Sequence, residues 1–80
     1  MQFSDLQAII AREFGVPPDS IARETTADDV DGWDSIAHAG LIMNIEAAFS
    51  IRFDNDEIYA FPDVGAMFDR IVELAAATGA

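Results

Sequence analysis

Apolar side chains in this chain recur at three- and four-residue intervals and nowhere alternate over a useful length, which restricts the fold to helices. One stripe is Leu6, Ile9, Ile10 and Phe14. A second is Ile36, Ala39, Leu41, Ile42, Ile45, Ala48 and Phe49, and a third is Val64, Met67, Phe68, Ile71, Val72 and Leu74. The punctuation between them is equally legible. Ser4 and Gln7 have capping-box spacing, Gly15 ends the first stripe, and Pro17 and Pro18 prevent its continuation. Asp34 is placed to cap the second helix. Asp54 to Glu57 put acceptors at the start of a short helix through Ala60, and Pro62 breaks it. Asp63 caps a last helix that Gly79 closes. The expectation is an all-α bundle of three main helices plus one short one, with a long connection from Ala22 to Trp33 that is either functional or carries its own short turns.

Composition narrows the function. At 80 residues, the chain is expected to be a single domain, 1–80, with one small core. An apolar fraction of 51% separates it from disordered acidic chains. There is no cysteine, which excludes a disulfide framework, thiolate metal sites and a cysteine nucleophile. Four basic residues face fifteen acidic ones, and the resulting net charge of −11 would repel a phosphate backbone, so nucleic acid is not an expected partner. The N-terminus has no basic leader and no apolar run approaches the roughly 20 residues of a membrane span, so a cytoplasmic monomer is expected.

With one histidine and no lysine, little catalytic inventory remains. Ser35 and His38 share a helix face and could be drawn as nucleophile and base, but an orienting acid and a G-x-S-x-G elbow are missing. The plainer reading of His38 is a partly exposed helical side chain. Glu24, Asp28, Asp29, Asp31 and Asp34 suggest calcium. A calcium loop aligned on Gly32 nevertheless fails at both ends, where Ala27 and His38 stand. A solvated acidic loop accounts for the run better, and no metal ligand or catalytic residue is assigned.

Ser35 alone would be an ordinary helix-start residue. Its setting is more specific. Asp34-Ser35-Ile36 follows the acidic loop and opens an apolar helix near the middle of the chain. Taken with Leu41 to Phe49, with Ile51-Arg52-Phe53, and with Asp63-Val64 followed by Phe68 and Ile71, it resembles the acyl carrier protein family over almost the whole length. The resemblance implies a four-helix bundle that is not an enzyme, carrying covalent 4'-phosphopantetheine, derived from coenzyme A, on Ser35. It also implies a phosphopantetheinyl transferase as partner, with Asp34 as the motif acid it recognises, together with enzymes that load and transfer acyl or aminoacyl groups. The residues make sense of this. Thioester transport needs a thiol, and this chain has none of its own. A helix N-terminus also suits a phosphodiester.

Departures from the family pattern carry information. Trp33 stands where primary fatty acid carriers have a small residue, and Ile36 where they have leucine. Glu46 is the sole acid of a second helix that those carriers stud with acids. The Trp-Asp-Ser form is similar to stand-alone carriers of specialised polyketide or secondary-metabolite pathways, with an aminoacyl or peptidyl carrier as the alternative. Ile36, Met43 and Glu46 are the expected partner contacts, although the same periodicity would let Ile36 and Met43 pack in the core. From another class, a non-covalent acidic or calcium-binding interaction module remains open at this stage. Gly40 in mid-helix costs about 1 kcal/mol against alanine and wants a reason.

Overall fold

The computed structural model describes residues 1–78. Three helices carry it: α1 Phe3–Phe14, α2 Ser35–Phe49 and α3 Val64–Thr78. No strand occurs among the described residues. Leu6 and Ile10 of α1, Leu41 and Ile45 of α2, and Val64, Met67 and Ile71 of α3 meet in one core with exposures of 2% or less. Edge-to-face contact between Phe3 and Phe68, with ring centroids 5.4 Å apart, closes one end. No helix among the described residues is long and apolar enough to cross a membrane.

α1 starts earlier than the Ser4–Gln7 pattern predicts. Gln2 is the N-cap, and the Asp5 carboxylate accepts from its backbone N–H at 2.8 Å. Gln7 is diverted to a tertiary role, donating its amide to the Ile21 carbonyl at 2.6 Å. Gly15 ends the helix in the left-handed region, φ 67°, where glycine meets no steric cost. The connection to α2 does contain short turns of its own, 3-10 segments at Pro18–Ser20 and Ala27–Asp29. Ile21 and Val30 anchor it in the core. Its centre is sewn to α3: the Val64 N–H donates to the Thr25 carbonyl at 2.9 Å and the Gly65 N–H to the Arg23 carbonyl at 2.7 Å.

α2 begins where its Asp34 cap predicts and ends at Ser50, a left-handed C-cap at φ 55°. Its buried sector is narrower than the apolar pattern suggests. Leu41, Ile42 and Ile45 are buried, whereas Ile36, Ala39 and Ala48 are exposed. A helix that is apolar all round needs neighbours on every side, and two other helices cover only part of it. Val72 of α3 is likewise exposed.

The short helix expected at Asp54 to Ala60 is realised as successive turns. The Glu57 N–H donates to the Asp54 carbonyl at 3.1 Å and the Ala60 N–H to the Glu57 carbonyl at 3.0 Å. The helical partner of the Ile58 carbonyl would be residue 62, a proline without an N–H, and that carbonyl is taken instead by His38 Nε2 at 2.7 Å. Asp63 then caps α3 as its position predicts, accepting from the Ala66 N–H at 2.8 Å. The expected closing residue Gly79 lies outside the described residues.

Candidate functional site

The start of α2 is built by three consecutive local devices. Gly32 turns the chain at φ 88°. Asp34 sits in extended geometry as N-cap, its Oδ1 accepting from the Ala37 N–H at 2.8 Å and its carbonyl from the His38 N–H at 2.8 Å. Ser35 is then the first helical residue. Its side chain is exposed and makes no hydrogen bond among the described residues. The backbone N–H groups of Ser35 and Ile36 stand ahead of the first intrahelical bond, at the positive end of a 15-residue helix.

A row of aromatic rings braces this point. Phe14 stacks on Trp33 at 5.0 Å, Trp33 on His38 at 6.0 Å, and His38 lies 5.1 Å from Tyr59. His38 holds the row by hydrogen bonds at both nitrogens. Its Nδ1 accepts from the Trp33 indole N–H at 2.9 Å, because an indole nitrogen only donates. The remaining proton is therefore on Nε2, which donates to the Ile58 carbonyl at 2.7 Å. Both nitrogens are taken, so His38 has none to offer Ser35 as a base. Tyr59 completes the frame by donating its hydroxyl to the Ser35 carbonyl at 3.2 Å.

Between α2 and the 54–61 turns runs a groove of about 240 Å³, lined by Trp33, Ser35, His38, Ile58, Tyr59 and Phe61. It is mostly apolar, and Ser35 forms part of its lining. An exposed hydroxyl at a helix N-terminus, beside a groove, fits a serine-linked phosphodiester and the chain beyond it. The phosphate would meet free backbone donors and the chain would find apolar walls.

The other residues singled out from sequence separate into two kinds. Ile36 is 86% exposed and Met43 69% exposed. Neither packs in the core, and together with Ala39, Gly40 and Ala47 they make an uncharged outer face of α2. Glu46 is half-buried and its Oε2 accepts from the Phe53 N–H at 2.9 Å, tying the end of α2 to the segment that follows it. The acids of the connection stay exposed. Asp29 caps the turn at Thr26, and among the described residues no three acidic or histidine side chains converge as a metal ion would require. Sequence reasoning missed the bracing role of His38 and all of Tyr59. Their partners lie 20 and 24 residues away, and no local period encodes such pairs.

The family described as phosphopantetheine attachment site matches residues 4–71 of this chain. Among solved structures, a holo acyl carrier protein from Geobacter metallireducens, determined by solution NMR, is similar at a TM-score of 0.85 and 30% identity. The similarity covers 95% of this chain and 87% of that one. The fold, the helix-start serine with its capping acid, and these matches agree that the chain belongs to the acyl carrier protein family, the phosphopantetheine-attachment type of carrier, whose cofactor is covalent 4'-phosphopantetheine.

Proposed function

We propose that Ser35 is the attachment site and that residues 1–80 form a single carrier domain. It would shuttle a thioester-bound acyl group between cytoplasmic enzymes of a specialised biosynthetic pathway, of polyketide or secondary-metabolite type. The observation that carries this reading is the placement of Ser35: exposed, unbonded, first in α2 and directly after its cap. In the transfer reaction the Ser35 Oγ attacks the phosphorus of coenzyme A that bears the pantetheine chain. The new O–P bond replaces the pyrophosphate linkage, the nucleotide part leaves as adenosine 3',5'-bisphosphate, and the serine proton passes to a base of the transferase. The bound group supplies the thiol that the chain lacks.

The chain's own residues hold and present. Asp34 keeps Ser35 at the helix start through Oδ1 and leaves Oδ2 toward solvent, where a transferase and its metal ion can reach it. Tyr59 and His38 hold the 54–61 turns against α2, so that the hydroxyl projects from a rigid platform. Ile36 and Met43 offer partner enzymes an apolar centre. Glu46 stands at its edge, although its carboxylate is also engaged within the fold. The surrounding acids favour partners with a basic rim. The test is to incubate the protein with coenzyme A and a broad-specificity phosphopantetheinyl transferase and to weigh the product. One phosphopantetheinyl increment is expected, absent in Ser35→Ala; no increment, or the same one in that variant, would refute the assignment.

A further inference from the structure

Trp33 is held to α2 by a bond that exists in only one charge state of its partner. Its indole N–H donates to His38 Nδ1 at 2.9 Å, and His38 Nε2–H donates to the Ile58 carbonyl at 2.7 Å. An indole nitrogen cannot accept, so the Nδ1 end needs a bare lone pair, whereas the carbonyl is served by the Nε2 proton in either charge state. Protonation would therefore act on one side of the ring. A proton on Nδ1 sets two donors head to head across 2.9 Å, while the Nε2–H bond becomes charge-assisted. The planes of the two rings are 23° apart and this bond joins their edges, so the new charge meets the N–H edge of the indole and not its face.

The charged groups around the ring are carboxylates, each with its own partner or open to solvent. On α2, Asp34 lies one turn before His38 and is committed through Oδ1 to the Ala37 N–H. At the start of α3, Asp63 borders the same small cavity as Trp33 and His38 and is committed through Oδ1 to the Ala66 N–H. In the 54–61 turns, Glu57 faces Arg70, and Tyr59, 5.1 Å from the imidazole, has its hydroxyl on the Ser35 carbonyl. The connection brings Trp33 itself, with Asp28, Asp29 and Asp31 exposed, and from α1 Phe14 stacks on Trp33. We infer that Trp33 and His38 form a pH-sensitive latch beside Ser35, closed while the imidazole is neutral and opened on the Trp33 side when it is protonated. Trp33 directly precedes the cap Asp34, and its indole ties the last turn of the connection to α2. Opening it loosens the turn that presents the Ser35 hydroxyl, so acid weakens the protein as a transferase substrate. That consequence, unlike the latch, rests on Ser35 being the attachment point.

The chain has one tryptophan and one histidine, so NMR identifies each ring without ambiguity. The indole N–H and the His38 ring are followed from about pH 8 to 5, the range in which imidazoles titrate, in wild type, His38→Asn and His38→Gln. Asparagine puts a non-titrating acceptor where Nδ1 stands, and glutamine a donor where Nε2 stands. In wild type the indole signal is expected to move upfield on the same curve as the His38 ring, and its exchange with water to rise about fivefold, the factor one neutral hydrogen bond makes in an equilibrium. It should keep the bonded position throughout in His38→Asn and the unbonded one in His38→Gln. An indole signal that stays fixed while the His38 ring titrates, or that moves equally in His38→Asn, would overturn the latch. Wild type and His38→Asn are then mixed in one tube with coenzyme A and a transferase and both products weighed, so that the transferase's own pH dependence cancels. The ratio of wild-type to variant rates should fall up to about fivefold on acidification. A constant ratio beside a titrating indole would overturn the coupling to Ser35. No mass gain in either protein at any pH would overturn the Ser35 assignment, with the latch decided by the indole titration alone.

Discussion

His38 is the side chain on which the geometry around Ser35 depends most, and the cost of removing it can be worked from its contacts. His38→Ala deletes the acceptor of the Trp33 indole N–H at 2.9 Å and the donor to the Ile58 carbonyl at 2.7 Å. Each such bond contributes about 1 kcal/mol net, and more where the abandoned partner is shielded from water. The ring contacts to Trp33 and Tyr59 add about 1 kcal/mol between them, since the site is only half-buried. The expected loss is about 2 to 3 kcal/mol, out of the roughly 4 to 12 kcal/mol typical for a chain of this size, so the variant folds but melts about 10 to 20 °C lower. Urea unfolding followed by circular dichroism measures it. A second variant, Trp33→Phe, keeps the stack on Phe14 but removes the N–H, so the two changes should be non-additive by about 1 kcal/mol in a double-mutant cycle. A loss below about 0.5 kcal/mol in His38→Ala, or strict additivity with Trp33→Phe, would refute the bracing role.

Other substitutions test the packing and the charge network. An alanine Cβ at position 65 would lie 3.0 Å from the Arg23 carbonyl oxygen, which the Gly65 N–H itself grips at 2.7 Å, whereas at position 40 it would meet nothing within 4 Å. Gly65→Ala should therefore lose about 1 kcal/mol, overpacking outweighing the gain in helix propensity, while Gly40→Ala gains about 1 kcal/mol; melting temperatures in the opposite order would contradict this. The Arg70 guanidinium, helped by the Asp54 N–H, holds the Glu57 carboxyl below its ordinary range. A depressed folded-state value means that Glu57 stabilises the fold above its unfolded pKa of about 4.3, and that this is lost as pH falls through the lower folded value. Glu57→Gln should thus lower the urea midpoint at pH 7 and lose less than wild type on acidification to about pH 3, and equal acid sensitivity in the two proteins would rule out the pairing as its source.

Much of this fold is local and could be read before any coordinates. The Asp34 and Asp63 caps, the Gly15 stop, the proline breaks and the three apolar periods act within four residues, so the three main helices and the position of Ser35 at the head of α2 were legible, while the short helix expected at Asp54 to Ala60 was not realised as one. The local signal failed where two residues competed for one role. Gln2 and Asp5 took the cap that Ser4 and Gln7 promised, because Gln7 found the Ile21 carbonyl instead.

What the amino-acid sequence by itself determined, then, is a carrier-type helical chain with no thiol of its own and with Ser35 at the head of its second helix. Tertiary structure decided which of α2's apolar faces is covered. The period is the same for Leu41 and Ile36, but only Leu41 points at α1 and α3, and Ile36 is left to solvent. It also decided that His38 braces instead of reacting and that Tyr59 reaches back to Ser35. The physical reason is range. Caps and periods are contacts within a turn, while burial, hydrogen-bond partners 20 residues apart and the walls of a groove exist only once the helices have packed.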